Sequence, residues 1–168
     1  KLHWLESIKA TYGLELHTLE KASSDASFRN YERIQGASAS YIVMDTPPSQ
    51  ENNAAFVDVQ KRLTQAGNKV PEIYAYDKAQ GFLLLSDLGT QNYYAALQGE
   101  LDPQALQAMY RLAIDELVRM QHAPTEGLAV YDAPRMLAEL ELFEEWYIQG
   151  HCKTELTAKE KLALQTLF

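Results

Sequence analysis

The sequence has 168 residues, 46% of them hydrophobic, which is enough apolar material for the core of one ordinary domain. Its formal net charge of −8 argues against a nucleic-acid partner, because neutralising phosphates needs clustered Lys and Arg, and these residues are scattered here. The single cysteine cannot form an internal disulfide, and no apolar run is long enough for a membrane span or a signal peptide. We therefore expect a cytoplasmic protein without a membrane partner.

The first predicted elements are a helix and three strands. Apolar residues at helical spacing predict a helix over residues 2–12, which ends at Gly13. Short polar stretches separate the strand-like runs that follow, and these runs cover residues 15–21, 28–35 and 41–44. Strands joined by such short connections are typical of an antiparallel meander.

A second helix and a hairpin are predicted next. Ser49 is the candidate N-cap of this helix, and Gly67 ends it. Its apolar positions recur at helical spacing, and they are Phe56, Val59 and Leu63. The runs at residues 73–76 and 82–86, with a turn between them, predict a β-hairpin whose second strand is fully buried.

Strand signals end at Asp87, and only helices are predicted beyond it. Their starts are marked by capping residues or prolines, at Asp102 with Pro103, at Asp132 with Pro134, and at Thr157 with Glu160. Strands followed by helices indicate an α+β protein with segregated halves. The change of composition near residues 87–89 predicts a division into residues 1–88 and 89–168.

The order of elements and several local strings resemble the aminoglycoside phosphotransferase family of kinase-like enzymes. The strings are "ASSDASFRNYERI" (22–34), "YIVMDTPP" (41–48), "RLTQAGNKVPEIYAYD" (62–77) and "GFLLLSDLG" (81–89). Within the family, "DASFRNY", "MDTPP" and "GFLLLSDLG" look most like the branch that includes the N-acetylmuramate/N-acetylglucosamine anomeric kinases. The resemblance implies a kinase-like small lobe, a five-stranded antiparallel sheet plus a helix, followed by the first helices of the helical lobe.

The resemblance also implies that ATP binds between a polar loop and a hinge. In the loop, small side chains and backbone N–H groups would contact the nucleotide phosphates, and the residues concerned are Ser24, Asp25, Ala26 and Ser27. In the hinge, Leu85 would form the back wall of the adenine pocket. The Ser86 carbonyl would accept from the adenine amine, and the Leu88 N–H would donate to a ring nitrogen. From the residues alone, a polar hairpin turn is the favoured interpretation of the loop. The hinge is also a buried strand end, and these two interpretations are compatible.

Two charged residues of the kinase-like pattern are replaced here. The third strand usually supplies a Lys for the phosphates, and the next helix supplies a Glu that pairs with it. Met44, or less favourably Asp45, falls at the first position, and Phe56 falls near the second. Loss of both partners is physically coherent, because one charge left alone in a half-buried site costs several kcal/mol.

Arg29 and Arg33 are the candidates to supply the missing positive charge. They are four residues apart on the second predicted strand, so they share a face with each other and with Tyr31. We expect Arg29, helped by Arg33, to contact phosphate. The alternative is that both are solvated surface arginines.

The sequence contains no H-x-D-x-x-x-x-N motif and no acidic metal motif after it. We therefore expect this chain to be the N-terminal half of a longer enzyme and inactive alone, with its catalytic residues and Mg²⁺ ligands downstream. Weak candidates for sugar contact are Glu139 and Trp146 in "ELELFEEWY". The alternative there is an apolar stripe facing the core with a solvated acidic face.

The favoured function is ATP-dependent phosphorylation of a hydroxyl on a small molecule, with an amino sugar of the N-acetylmuramate/N-acetylglucosamine type as the expected acceptor. Within the wider family, an aminoglycoside or small amino-alcohol kinase is the alternative. A non-catalytic nucleotide-binding or scaffolding module is another alternative, because Met44 and Phe56 are typical of lost kinase activity. An α+β interaction domain that binds no nucleotide is the last.

Overall fold

The computed structural model describes residues 1–24, 28–49, 52–99 and 101–167. The chain divides into two units, Lys1–Pro124 and Thr125–Phe168. The boundary predicted between residues 88 and 89 lies inside the first unit, and it stays a prediction. No helix among the described residues is long and apolar enough to cross a membrane.

A five-stranded sheet organises the first unit. Its strands are β1 (Glu15–Ser24), β2 (Asn30–Gln35), β3 (Ser40–Asp45), β4 (Ile73–Asp77) and β5 (Phe82–Ser86). They lie in the order β1-β2-β3-β5-β4, and every neighbouring pair is antiparallel. Four of the five residues of β5 are buried, because this strand lies between β3 and β4. The predicted α+β fold with a five-stranded antiparallel sheet is confirmed.

The helices of the first unit are α1 (Leu2–Tyr12), α2 (Asn53–Gln65), α3 (Tyr93–Leu97) and α4 (Pro103–Met120). The bounds of α1 are the predicted ones, and Gly13 ends the helix in the left-handed conformation, with φ of 63°. The predicted Ser49 cap of α2 is wrong. This helix begins only at Asn53, so Asn52 is its cap, and the Asn52 side chain accepts from the Ala55 N–H at 3.0 Å.

Alternate side chains of the central strands enter two separate apolar clusters, one on each face of the sheet. The first cluster packs beneath α1 and consists of Trp4, Leu5, Leu14, Ile34, Tyr41, Val43, Phe82 and Leu84. The second consists of Met44, Leu83 and Leu85, with the partly buried Tyr31, Ile42, Phe56, Val57, Ile73 and Tyr76 against it. Phe56 and Val57 belong to α2, so each face of the sheet is covered by one helix.

Asp45 lies on the α1 side of the sheet. Its carboxylate is 3.4 Å from the Lys1 ammonium, which also forms an ion pair with Glu32. Asp45 therefore does not occupy the position of the missing phosphate-binding lysine, because its side chain points away from the face that Met44 shares with α2.

The second unit contains three helical segments, which are α5 (Ala133–Leu142), a π-helical segment (Phe143–His151) and α6 (Ala158–Leu167). The predicted cap of α5 is confirmed, since the Asp132 carboxylate accepts from the Arg135 N–H at 3.1 Å. The predicted capping box is also confirmed. The Glu160 carboxylate accepts from the Thr157 N–H at 2.8 Å, and the Thr157 hydroxyl accepts from the Glu160 N–H at 3.3 Å.

The turn between β4 and β5 predicts a specific effect on stability. Gly81 has φ of 79°, and a Cβ atom there would lie 1.9 Å from the Thr46 carbonyl oxygen. Gly67 has φ of 82°, but nothing lies within 4 Å of its Cβ position. We expect Gly67→Ala to lower the free energy of unfolding by about 1 kcal/mol, the cost of the left-handed conformation. Gly81→Ala should cost about 1–3 kcal/mol more, because the Thr46 backbone must move.

Urea denaturation of the two variants beside the unaltered protein measures this difference. Gly67→Ala is the matched control, since it carries the same conformational cost without the clash. Equal losses in the two variants would contradict the expectation.

Candidate functional site

A cleft of about 390 Å³ opens on the α2 side of the sheet, where β5 ends. Its lining residues are Ala22, Tyr31, Arg33, Ile42, Pro71, Leu85 and the segment 86–92. Apolar side chains from several strands form one wall, and the segment that leaves β5 supplies backbone groups. A flat heteroaromatic ligand is suited to such a site, because its faces need apolar contact and its edge needs a few hydrogen bonds.

Leu85, Ser86 and Leu88, the predicted hinge residues, all line this cleft. Leu85 is buried and packs in the second apolar cluster, and its predicted role as the back wall stays a prediction. The Ser86 hydroxyl accepts from the Glu72 N–H at 2.9 Å, and the Ser86 N–H donates to the Glu72 carbonyl at 2.9 Å. No residue in the described part of the chain accepts from the Leu88 N–H, which leaves that group available to a ligand.

An ionic network anchors the segment after β5. The Asp87 carboxylate accepts two bonds from the Arg33 guanidinium, at 2.6 Å and 3.0 Å, and one from the Ser40 hydroxyl at 2.7 Å. It also accepts from the Gly89 N–H at 2.9 Å. Hydrogen bonds from Arg33, with smaller effects from Ser40 and Gly89, hold the pKa of Asp87 far below its ordinary value. The carboxylate is therefore ionised throughout the neutral range.

The Asp87 network was not predicted from the sequence. Arg33 and Asp87 are 54 residues apart in the chain, and Ser40 is 47 residues from Asp87. Asp87 was recognised only as the place where strand signals end. An acid immediately after a buried strand is the one local hint, because a charge at that position needs a partner once the sheet has formed.

The two positions predicted for the missing lysine and glutamate, Met44 and Phe56, belong to one apolar cluster. Met44 is fully buried, and Phe56 of α2 packs against the same cluster. The central carbon of the Arg29 guanidinium lies 5.6 Å from the centroid of the Phe56 ring, a cation–π arrangement. A positive charge therefore lies beside the ring that occupies the expected glutamate position.

The two arginines lie at different ends of the same sheet face. Arg29 comes immediately before β2, which begins at Asn30, so it is not within the strand as predicted. Arg33 lies in the strand and lines the cleft. Four residues of extended chain separate them by about 13 Å. Their predicted contacts with phosphate stay predictions.

The predicted phosphate loop falls mostly outside the described residues. The backbone of Ser24 ends β1 and pairs with Asn30. The backbone of Ser24 thus belongs to the strand, whereas the sequence placed this residue in the loop. The Ser24 side chain and residues Asp25, Ala26 and Ser27 are not among those described, and their predicted roles stay predictions.

Glu139 and Trp146, the weak candidates for sugar contact, lie in the second unit. The Glu139 carboxylate accepts from the Tyr131 hydroxyl at 2.5 Å and from the Arg135 guanidinium at 3.0 Å, and these bonds lower the pKa of Glu139. Trp146 is 70% exposed in the π-helical segment. Leu137, Leu140 and Phe143 are also exposed in this chain. The predicted sugar contacts and the alternative of a stripe facing the core both stay predictions.

No group of three His, Cys, Asp or Glu side chains in the described ranges could hold a metal ion.

An antiparallel five-stranded sheet with a helix on each face, and a cleft where β5 ends, is the small lobe of a kinase-like fold, and helices follow it. Residues 18–167 match the phosphotransferase enzyme family, which is most of the chain. The chain belongs to that family.

Several similar proteins have a name that is more specific than that of the family. The chain is 41% identical over 149 residues to the "N-acetylmuramate/N-acetylglucosamine kinase" of Pseudomonas putida, and this match covers 88% of the chain and 43% of that protein. The kinase of the same name from Pseudomonas aeruginosa is 45% identical over 136 residues, covering 80% of the chain and 39% of that protein. The one from Neisseria meningitidis serogroup B is 35% identical over 161 residues, covering 95% of the chain and 47% of that protein. The chain thus spans less than half the length of these relatives.

Because Met44 and Phe56 pack in one apolar cluster, we expect substitutions at the two positions to have coupled effects on stability. Met44→Lys should lower the free energy of unfolding by about 3–5 kcal/mol, because it buries a charge without a partner. Met44→Lys combined with Phe56→Glu should lose less than the sum of the two single changes, since an ion pair can then form. Chemical denaturation of the three variants forms the double-mutant cycle. Strict additivity would show that the two positions are independent.

Proposed function

We propose that the complete protein transfers the γ-phosphoryl group of ATP to a hydroxyl of an amino sugar, of the N-acetylmuramate or N-acetylglucosamine type. The observation that carries this proposal is the 35–45% identity to kinases of that name over 80–95% of this chain. The cleft at the end of β5 supports it, because it joins apolar walls to backbone groups as an adenine site requires. An ATP-dependent reaction also fits the cytoplasmic location predicted from the sequence.

In this proposal the hinge binds the purine base. Adenine lies between the apolar side chains of the sheet and the segment after β5, with Leu85 at its back. The Ser86 carbonyl accepts from the adenine amine, and the Leu88 N–H donates to a ring nitrogen. The availability of the Leu88 N–H among the described hydrogen bonds supports this arrangement.

Arg29, together with the loop residues Ser24 to Ser27, contacts the phosphates. Met44 has no charge to offer, and Arg29 already lies beside the Phe56 ring on the same face of the sheet. A guanidinium can give two parallel hydrogen bonds to a phosphate, so it is a chemically adequate replacement for the lysine.

Transfer itself requires groups outside this chain. A bound Mg²⁺ would neutralise charge on the phosphates, and an acid downstream would accept the proton of the sugar hydroxyl. Glu139 and Trp146 remain our proposed contacts for the sugar.

Phosphorylation by the full-length protein tests the function. We expect ATP-dependent formation of a phosphorylated product from N-acetylmuramate or N-acetylglucosamine, measured by mass spectrometry and by coupled ADP release. Kanamycin and ethanolamine are the control acceptors for the wider family. Turnover of those two alone would favour an aminoglycoside or amino-alcohol kinase, and ATP binding with no product would favour the scaffolding alternative. Absence of any thermal stabilisation by Mg-ATP would favour an interaction domain that binds no nucleotide.

The proposed role of Arg29 predicts a phosphate-specific defect. Arg29→Ala should weaken ATP binding about tenfold or more, because it removes charge-assisted hydrogen bonds to phosphate. Adenosine, which has no phosphate, should bind as it does to the unaltered protein. Titration calorimetry with both ligands measures this, with Arg111→Ala on the exposed side of α4 as the matched control. Native ATP affinity and turnover in Arg29→Ala would disprove the role.

A further inference from the structure

The contacts of Arg33 place its charge at the hinge. Its Nε atom lies 2.6 Å from Asp87 Oδ2, and one terminal nitrogen lies 3.0 Å from Asp87 Oδ1. The same terminal nitrogen lies 3.4 Å from the Gly89 carbonyl. Two of the three guanidinium nitrogens thus face the segment that leaves β5. About 13 Å of extended chain separates this position from Arg29.

The ion pair crosses a neighbouring strand. Arg33 belongs to β2 and Asp87 follows β5, whereas β3 lies between these two strands in the sheet. Ser40, at the start of β3, donates to the same carboxylate at 2.7 Å. The Asp87 carboxylate therefore links the hinge to β2 and β3. It also accepts from the Gly89 N–H, which is a bond within the hinge.

The network is shielded from water. The Asp87 side chain is 7% exposed and the Arg33 side chain 16% exposed. Removing one member leaves the other as a poorly solvated charge beside the cleft, which is costly. Because the guanidinium holds the carboxylate through two parallel bonds, the pair fixes a direction as well as a distance.

We propose that Arg33 and Asp87 are positioning residues that hold the hinge backbone in the geometry that binds the purine base. They set the affinity of the cleft for the base, and they do not contact the phosphates. This inference rests on the proposed function, because it takes the cleft to be a nucleotide site. It gives Arg33 a role distinct from that of Arg29, although both residues lie on one face of the sheet.

Three variants of the full-length protein separate this role from its alternatives. Asp87→Asn keeps the size of the side chain and removes its charge. Arg33→Lys keeps the charge and removes the paired geometry. Ser40→Ala removes a single hydrogen bond and is the mild variant in case the other two fold poorly.

The matched control is Asp58→Asn. Asp58 also accepts from an arginine at 2.7 Å, in an ion pair with Arg62 on α2, and neither residue lines the cleft. The control therefore removes an Asp–Arg ion pair away from the hinge, one with a single hydrogen bond and a half-exposed carboxylate.

Affinities for adenosine and ATP, thermal unfolding and steady-state kinetics are measured for each protein. Asp87→Asn and Arg33→Lys should weaken adenosine about tenfold and ATP by the same factor, so that the ratio of the two affinities stays constant. The KM for ATP should rise by that factor, and kcat at saturating ATP should stay within about threefold, because the phosphates are held elsewhere. Ser40→Ala should show the same pattern at smaller size, and Asp58→Asn should show neither change.

Other results overturn the inference. If Arg33→Lys weakens ATP but not adenosine, Arg33 contacts phosphate. If Asp87→Asn lowers the melting temperature but binds both ligands normally well below it, the network only stabilises the fold. If the unaltered protein binds neither ligand, the proposed function fails and the inference fails with it. If the unaltered protein phosphorylates its substrate and the variants bind adenosine and ATP with unchanged affinity, the inference fails and the proposed function stands.

Discussion

The register between β3 and β5 determines where the rest of the first unit is placed. Because neighbouring side chains of a strand point to opposite faces, β5 sends Phe82 and Leu84 beneath α1 and sends Leu83 and Leu85 toward α2. A slip of one residue would exchange the two sets and place Leu85 away from the cleft. The same alternation separates the charges of β2, with Glu32 on the α1 side and Arg33 on the cleft side. The apolar core and the candidate site thus depend on one pairing.

Charged groups near the cleft are accommodated differently at its two ends. At its α2 end, Met44 and Phe56 lie at the positions predicted for the lysine and glutamate of the kinase-like pattern, and an arginine from outside the sheet lies over the phenyl ring. At its hinge end, charge is kept but fully paired, through Arg33 and Asp87. An uncompensated charge is avoided at both ends, as the cost of burying one requires. The face of the sheet that carries the cleft thus has an arginine near each end, Arg29 near α2 and Arg33 near the hinge.

Elements with local signals were predictable from the sequence, whereas contacts between distant residues were not. Apolar spacing and Gly13 determine α1, and the apolar run at residues 82–86 determines β5, so both have the predicted bounds. The cap of α2 was misplaced, because both Ser49 and Asn52 have capping side chains and only the true start of the helix decides between them. The short helix α3 was not predicted, since it has no apolar periodicity of its own. The apolar spacing that begins at Leu137 continues through Phe143 and Trp146, so it predicted a helix there but not its π-helical geometry. The Asp87 network required the assembled sheet, because no local pattern links it to Arg33.

The Arg33–Asp87 pair also has a consequence for the order in which the molecule folds. The two residues are 54 positions apart, and the segment between them includes β3, α2, β4 and β5. Closing so long a loop costs conformational entropy that a single ion pair cannot offset in the unfolded chain. The pair therefore forms only after the intervening strands have joined the sheet. We therefore expect the cleft to acquire its shape late in folding, after the strands between Arg33 and Asp87 have paired.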